Sequence, residues 1–228
     1  MTDLKEQEDI FKLIGSSLKR KIKCFVIGGS AMLYYKLKSI TKDIDIVLLD
    51  EADRQYALKL MKELGYAERN PKIFYINKKN VPILLQREEN RFDLFNRTII
   101  NLKFSDNMAE RSRIIYEYKN LIVNVVSPED IIILKCATHR AGDRLDAANI
   151  IKGSNIDCNI IFEESINQMN LIGDVIPLSL YQFLLELKED LQVEIPEHFI
   201  KKLEARCEEI LIKKVKEGKT VRVTKYKT

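Results

Sequence analysis

The stretch of residues 25–49 constrains the fold more than any other part of the chain. An apolar run ends in Gly28-Gly29-Ser30, and a second apolar run carries aspartates at positions 43 and 45. Because successive side chains of a strand point to opposite faces, Asp43 and Asp45 are expected to project from one face while the isoleucines beside them enter the core. The sequence therefore predicts a strand–helix–strand unit with two carboxylates side by side.

Such a carboxylate pair has a chemical implication. Two adjacent carboxylates repel each other, so the pair is typical of a site that holds a cation. Oxygen ligands suit a hard ion such as Mg²⁺, which takes one or two carboxylates together with substrate phosphates. Gly28 and Gly29 would let the backbone approach a phosphate, and a helix predicted over 31–38 would offer its first N–H groups to that anion.

The two motifs, Gly28-Gly29-Ser30 and Asp43-Ile44-Asp45, resemble in order and spacing those of the nucleotidyltransferase superfamily with the DNA polymerase β-like fold. The resemblance covers roughly the first half of the chain. It looks closest to a small prokaryotic branch that includes uncharacterised nucleotidyltransferases and AbiEii-type toxins. The expected fold class is α+β, with a mixed β-sheet core flanked by helices and followed by an α-helical C-terminal region.

A third carboxylate belongs to this hypothesis. Asp93 lies in a predicted strand over 91–95, among aromatic and aliphatic neighbours, where a carboxylate is costly unless it is paired or bound to metal. In the family that the chain resembles, a third carboxylate comes from a strand after the D-x-D motif, and Asp93 matches that position better than Glu88 or Glu89. The alternative is a surface aspartate on an edge strand.

The resemblance also implies a role for Lys135. Ser127-Pro128-Glu129-Asp130 has the residue types of a helix start, and the predicted helix runs over 131–140 with Lys135 on it. Matching the family pattern would let this lysine meet a triphosphate oxygen. The alternative is a salt-bridged helix, which is the interpretation we favour for Arg140, Asp143 and Asp146. His139 is expected to be a structural or surface residue.

The remaining periodicity separates two regions. We expect residues 1–126 to form the nucleotidyltransferase core and residues 127–228 a helical domain with a basic tail. Beyond the elements named above, the pattern predicts helices over 4–18, 50–64, 160–169, 178–190 and 200–216, and strands over 24–27, 44–49, 73–76, 81–86 and 121–126.

Charge is concentrated at one end of the chain. The sequence has 38 basic and 34 acidic residues, a net charge of +4. Residues 211–228 contain seven of the basic residues against Glu217 alone. This tail could bind a polyanion such as an RNA acceptor, although a solvated terminus is the simpler interpretation.

Composition also indicates the compartment. No apolar run is long enough to cross a bilayer, and the polar, acidic start of the chain does not have the pattern of a signal peptide. The four cysteines are scattered without a C-x-x-C pair, so reduced thiols in a cytoplasmic protein are expected, and a zinc site is not.

The resemblance implies a reaction. Asp43, Asp45 and Asp93 would hold two Mg²⁺ ions, or Mn²⁺, while Gly28, Gly29, Ser30 and Lys135 would bind a nucleoside triphosphate. The nucleoside monophosphate would pass to an acceptor hydroxyl, with release of pyrophosphate. Asp93 would help to hold the second ion or accept the hydroxyl proton.

Two alternatives are a catalytically silent nucleotide-binding scaffold and a toxin component that acts with a partner protein on tRNA or protein. The P-loop and Rossmann fingerprints are absent from the sequence.

Overall fold

The computed structural model describes residues 1–71, 75, 79–138, 140–173 and 176–218. The chain divides into two compact units, Met1–Ser127 and Pro128–Thr228. Within the described residues, the first unit contains all the strands and the second is built from helices. The α+β fold class is thereby confirmed.

The first unit is organised around a mixed seven-stranded sheet in the order β3-β4-β5-β2-β1-β9-β8. Its strands are β1 (Ile22–Val26), β2 (Ile44–Val47), β3 (Ala67–Arg69), β4 (Ile83–Arg87), β5 (Asn90–Phe95), β8 (Arg113–Tyr118) and β9 (Leu121–Val125). The pairs β1–β9 and β2–β5 are parallel, and the other neighbours are antiparallel. A separate two-stranded sheet joins β6 (Thr98–Ile99) to β7 (Leu102–Lys103).

The helices of this unit are α1 (Leu4–Ser17), α2 (Gly28–Tyr34), α3 (Glu51–Glu63) and α4 (Asp106–Arg111). Phe92 of β5 is fully buried and lies edge-on to Phe11 of α1 and to Tyr66, with ring centroids 6.4 Å and 5.6 Å apart. Burying such a ring stabilises the fold by about 1.5–3 kcal/mol. Because side chains alternate along a strand, Asp93 points away from this apolar face.

The second unit consists of α5 (Pro128–Cys136), α6 (Ala141–Gly153), α7 (Cys158–Ile172), α8 (Ile176–Asp190) and α9 (Glu197–Lys216). Residues 129–136 of α5 are all buried, including four consecutive aliphatic residues from Ile131 to Leu134. A helix that is apolar on every side has to lie inside its domain. α5 is accordingly packed against α6, α7 and α8.

One helix differs from the prediction at a position that matters for the site. α2 begins at Gly28 rather than at Ala31 and ends at Tyr34 rather than at Lys38. It ends early because Lys36 adopts a left-handed conformation (φ 58°) and the N–H of Leu37 bonds back to the carbonyl of Met32. This is the 6→1 bond of a helix-terminating turn. The glycines therefore form the first turn of α2 instead of preceding it.

β4 matches the strand predicted over 81–86 and pairs with β3 and β5. The strand predicted over 73–76 lies outside the described residues except for Tyr75, which is not in a strand.

Several other strands and helices were absent from the sequence prediction. β3 is exposed throughout and β8 is exposed or half-buried, so neither carries the alternation that marks a half-buried strand. The short elements β6, β7 and α4 and the helix α6 were also missed.

Candidate carboxylate site on the central sheet

The register of two parallel strands brings Asp45 and Asp93 together. Along β2 and β5, Asp45 is the partner of Asp93 and Ile44 is the partner of Phe92. Residues in register on neighbouring strands share a face. Asp43 lies one residue before β2 and contacts Arg91, which shares a face of β5 with Asp93. The structure thus links all three carboxylates that the sequence proposed as a set.

Arg91 is part of this carboxylate site, and the sequence analysis did not identify it. Its Nη2 contacts Oδ2 of Asp43, and its Nε lies 3.4 Å from Oδ1 of Asp93. The side chains of Arg91 and Asp43 are each 21% exposed, whereas that of Asp93 is 1% exposed. The available signal was the i, i+2 spacing of Arg91 and Asp93, which places both side chains on one face of β5.

Tyr75 is the second residue that sequence reasoning missed. Its hydroxyl donates a hydrogen bond to Oδ2 of Asp93 at 2.8 Å. Asp93 is thus a buried carboxylate with a phenol on one oxygen and a guanidinium near the other, which meets the requirement that buried charges be paired and hydrogen-bonded. No sequence pattern links positions 75 and 93, so this contact could not have been predicted.

Gly28 allows the carboxylate of Asp45 to lie against the start of α2. The residue has φ +61°, a conformation that favours glycine. A Cβ at this position would lie 2.7 Å from Oδ2 of Asp45. The sequence predicted that this glycine would let the backbone approach a phosphate, and that stays a prediction. In this structure the group that lies against the glycine is the carboxylate of Asp45.

The other two residues of the motif also contact neighbouring backbone or side chains. The Ser30 hydroxyl is buried, donates to the carbonyl of Asp43 at 2.7 Å and accepts from the N–H of Asp45 at 3.3 Å. A Cβ on Gly29 would lie 3.0 Å from Oγ1 of Thr41. Ser30 thus holds the backbone that carries both aspartates, and phosphate binding by the motif stays a prediction.

Lys135 lies in a different cluster, within the second unit. Its Nζ is 2.7 Å from Oδ1 of Asp143 and 2.7 Å from Oδ2 of Asp146. Asp143 also accepts hydrogen bonds from the Thr138 hydroxyl and, at 2.9 Å, from Nε of Arg140. This is the salt-bridged helix that the sequence offered as the alternative. Triphosphate binding by Lys135 stays a prediction, and His139 lies outside the described residues.

The ionisation of this helical cluster follows from its contacts. Burial alone would lower the pKa of Lys135, but the charges and hydrogen bonds of Asp143 and Asp146 outweigh burial and raise it. Burial acts to raise the pKa of Asp143, but Lys135, Thr138 and Arg140 together lower it. Both shifts favour the charged forms, so the cluster is a buried ion pair.

The cysteine thiols of the chain have raised pKa values. The four cysteines are free thiols. Burial raises the pKa of Cys24, Cys136 and Cys207 to about 12. A thiol with so high a pKa is protonated near neutral pH and is a poor nucleophile.

The donor chemistry of the carboxylate site suits a hard divalent cation, because Asp43, Asp45 and Asp93 offer oxygen ligands. Across residues 1–71, 75, 79–138, 140–173 and 176–218, however, no three or more His, Cys, Asp or Glu side chains are arranged to hold one metal ion. The carboxylates of Asp43 and Asp93 are instead arranged around the guanidinium of Arg91. The residue types are therefore suitable ligands for a cation, and an arginine lies among them.

In the part of the chain that the structure describes, no helix has the length and apolarity needed to cross a bilayer.

Comparison with known proteins gives a family. The family described as "Nucleotidyltransferase of unknown function (DUF6036)" matches residues 4–184, from the start of α1 into α8. No curated protein matches the chain.

Three solved structures are similar to the chain. A solution structure of the antibiotic-resistance factor ANT(2'')-Ia has 13% identity and a TM-score of 0.43, covering 75% of this chain and 90% of that chain. The crystal structure of ANT(2'')-Ia with adenylyl-2''-tobramycin has 12% identity and a TM-score of 0.45, covering 79% and 97%. An antigenic nucleotidyltransferase-like protein from Paracoccidioides brasiliensis has 16% identity and a TM-score of 0.43, covering 85% and 95%.

Proposed function

Because this chain belongs to the family of nucleotidyltransferases of unknown function (DUF6036), we propose that it transfers a nucleoside monophosphate from a nucleoside triphosphate to an acceptor hydroxyl and releases pyrophosphate. The observation that carries the proposal is the register of Asp45 beside Asp93 on β2 and β5, with Asp43 joined to Asp93 through Arg91. Carboxylates are the ligand type that phosphoryl-transfer sites use for divalent cations.

In this proposal Asp43, Asp45 and Asp93 hold Mg²⁺ or Mn²⁺, in one or two copies. A divalent cation bound there would offset the charge of the triphosphate and lower the pKa of the acceptor hydroxyl. The carboxylates contribute position and charge, which are the main protein contributions to phosphoryl transfer. Asp93, which the Tyr75 hydroxyl orients, would help to hold the second ion or accept the hydroxyl proton.

The residues around the carboxylates act by positioning. Gly28 provides the room in which Asp45 lies, and the Ser30 hydroxyl fixes the backbone between Asp43 and Asp45. Since the Ser30 hydroxyl already donates its hydrogen to a carbonyl, phosphate binding at this turn would fall to backbone N–H groups. Gly29 would allow close approach of a β- or γ-phosphate, and Lys135 is kept as a further candidate for the triphosphate.

The proposal also concerns the chemical identity of the acceptor. The basic residues of 211–228 favour a polyanion such as RNA, through phosphate contacts. Three of them, Lys213, Lys214 and Lys216, lie in the last turn of α9, and residues 219–228 are outside the described part. A protein partner, a toxin role and a place in the AbiEii-type branch remain predictions from the sequence.

The experiment that tests the reaction is a transfer assay with each of the four α-³²P-labelled nucleoside triphosphates, with Mg²⁺ or Mn²⁺ and with EDTA. Total RNA and total protein serve as acceptor pools, and pyrophosphate release is measured in parallel. We expect metal-dependent label transfer with one preferred base. Asp45→Asn should reduce the rate by roughly 1000-fold, the upper end of the loss for one electrostatic group at a reacting centre.

A matched control is Asp9→Asn, because Asp9 is an exposed aspartate of α1 that contacts Lys12, one turn away on the same helix. Its transfer rate should equal that of the wild type. Calorimetric titration with the same triphosphates separates the remaining alternative. Metal-dependent binding without any turnover would identify the silent scaffold, and wild-type activity in Asp45→Asn would remove the carboxylate site from the reaction.

A further inference from the structure

Arg91 has a position that the proposed reaction does not require. It comes from the same strand as Asp93, two residues earlier, and its guanidinium reaches across to Asp43 beside β2. Guanidinium groups present several donors in a rigid fork, which suits them to bridging carboxylates. The oxygens that Arg91 approaches, Oδ2 of Asp43 and Oδ1 of Asp93, belong to two of the three carboxylates proposed to hold the metal ion.

We propose that Arg91 is the internal counter-ion of the carboxylate site, and that a divalent cation must displace its guanidinium from Asp43 and Asp93 in order to bind. The inference rests on the proposed function in one respect, that these carboxylates are metal ligands. It goes further by naming a residue of this chain that sets the affinity and the occupancy of the metal site.

Burial explains why a counter-ion is needed. Asp93 is 1% exposed and pairs across the strands with Asp45. Two carboxylates this close raise each other's energy, and burial adds the cost of lost hydration. The Arg91 guanidinium and the Tyr75 hydroxyl offset this cost at Asp93 in the absence of metal. The folded protein can therefore keep its carboxylates together without a bound ion.

Exposure explains how the guanidinium can leave. The side chains of Arg91 and Asp43 are each 21% exposed, so this end of the ion pair is open to solvent. The contact with Asp93 is long, at 3.4 Å, which is weaker than an ordinary charge-assisted hydrogen bond. An arginine on a flexible stem can swing outward, whereas the carboxylates are carried by the sheet and by the strand end that Ser30 holds.

Competition follows from these two facts. The guanidinium and a metal ion cannot occupy the same side of the same carboxylate oxygens. The apparent metal affinity is then reduced by the fraction of molecules in which Arg91 is already displaced. Removing the guanidinium should therefore tighten metal binding, which is the opposite of what loss of a supporting structural contact would do.

The test is Mn²⁺ binding in the absence of nucleotide, measured by the electron paramagnetic resonance signal of free Mn²⁺. Arg91→Gln should bind Mn²⁺ about tenfold more tightly than the wild type, on the scale of a lost hydrogen bond to a charged group. Arg91→Lys should fall between the two, since an ammonium cannot fork across both carboxylates. Equal or weaker Mn²⁺ binding by Arg91→Gln would overturn the proposal.

The matched control is Arg87→Gln, on the neighbouring strand β4. Arg87 donates to the carbonyl of Leu64 at 3.0 Å, and its replacement changes the net charge by the same amount. Its Mn²⁺ affinity should equal that of the wild type. A tenfold gain in this control would mean that net charge, rather than displacement of Arg91, governs binding, and the proposal would fail.

A second measurement follows the guanidinium of Arg91 in the wild-type protein itself. The Nε–H signal of Arg91 is assigned in a ¹⁵N spectrum by its absence from Arg91→Lys and is followed during addition of Mg²⁺. Displacement predicts a change in shift and faster solvent exchange of that proton as the site fills. A signal that Mg²⁺ leaves unchanged would contradict displacement.

The failure of this inference is distinguishable from failure of the proposed function. If Asp45→Asn loses nucleotidyl transfer while Arg91→Gln binds Mn²⁺ like the wild type, the transferase proposal is supported and the counter-ion proposal is wrong. If Arg91→Gln binds Mn²⁺ more tightly and no triphosphate is turned over, the counter-ion proposal is supported and the transferase proposal is wrong.

Discussion

Two clusters in this protein are built from the same residue types, and they differ in how far solvent reaches them. On the sheet, Arg91 contacts the carboxylates of Asp43 and Asp93. In the helical unit, Lys135 contacts those of Asp143 and Asp146. In each cluster one basic side chain thus contacts two aspartates, and in the helical cluster Arg140 also contacts Asp143.

In the helical cluster the two contacts of Lys135 are short and equal. Both contacts of Lys135 are 2.7 Å long, and all three side chains are buried. The sheet cluster is uneven, with one long contact at 3.4 Å and with Arg91 and Asp43 partly open to solvent. Pairing of charges therefore does not by itself identify a functional site. Solvent access and an uneven geometry, which allow partners to be exchanged, are the informative features.

The largest expected effect compares the two cations directly. Lys135→Met should reduce the free energy of unfolding by about 3–5 kcal/mol, because it leaves two buried carboxylates without their shared cation. Arg91→Met should cost only about 1 kcal/mol, since water can reach Asp43 and Tyr75 still bonds Asp93. Urea unfolding followed by circular dichroism measures both. Equal decreases in the free energy of unfolding in the two variants would show that the two clusters contribute equally to stability.

A smaller effect concerns two glycines, one in each unit. Gly28→Ala should destabilise the protein by about 2 kcal/mol, because alanine is strained at positive φ and its Cβ would press on Oδ2 of Asp45. Nucleotidyl transfer should fall as well, since Asp45 is pushed out of place. Thermal unfolding and the transfer assay test the two parts separately.

The matched glycine is Gly142 in α6, where a Cβ would meet nothing within 4 Å. Gly142→Ala should be neutral or stabilise the protein by up to about 1 kcal/mol, through helix propensity. A Gly28→Ala variant as stable and active as Gly142→Ala would show that Asp45 does not need the space.

Two buried serines offer a finer comparison. Ser30→Ala should cost about 1–2 kcal/mol, because the carbonyl of Asp43 loses its hydroxyl donor and the N–H of Asp45 loses its acceptor. Ser165 of α7 is equally buried, but its hydroxyl bonds the nearby carbonyl of Phe162 within the helix. Ser165→Ala should therefore lower the free energy of unfolding by less than Ser30→Ala does. Of the two variants, only Ser30→Ala should reduce the kcat of nucleotidyl transfer.

The smallest expected effect is a dependence of stability on pH that belongs to the helical cluster. The pKa of Asp143 is lowered from 3.8 in the folded state, so its contribution is present above pH 3.8 and is lost as pH falls through the lower folded value. The pKa of Lys135 is raised from 10.5, so its contribution is present below pH 10.5 and is lost as pH rises through the higher folded value.

Between these limits both contributions are complete. Unfolding free energies measured down to pH 2.5 should fall less steeply in Asp143→Asn than in the wild type, because the variant has no carboxylate to protonate at that position. An acid limb of unchanged slope would show that the Lys135 cluster is not the source of acid sensitivity.

Local patterns were sufficient for part of the site. The i, i+2 spacing predicted that Asp43 and Asp45 share a face, and the order of the glycine motif and the D-x-D pair indicated a nucleotidyltransferase before the family match. Prediction was poorer where the local signal was weak. The exposed strands β3 and β8 lack alternation, and α2 starts earlier than predicted because Gly28 tolerates positive φ within its first turn.

The sequence by itself determined which residues can share a face within one strand, because alternation depends only on the local backbone. It thereby related Asp43 to Asp45. Only the tertiary structure decided that Asp45 lies beside Asp93, that Arg91 reaches Asp43, and that Ser30 bonds β2. These contacts depend on the register between strands and on the packing of α2, which are set by pairing across distant parts of the chain.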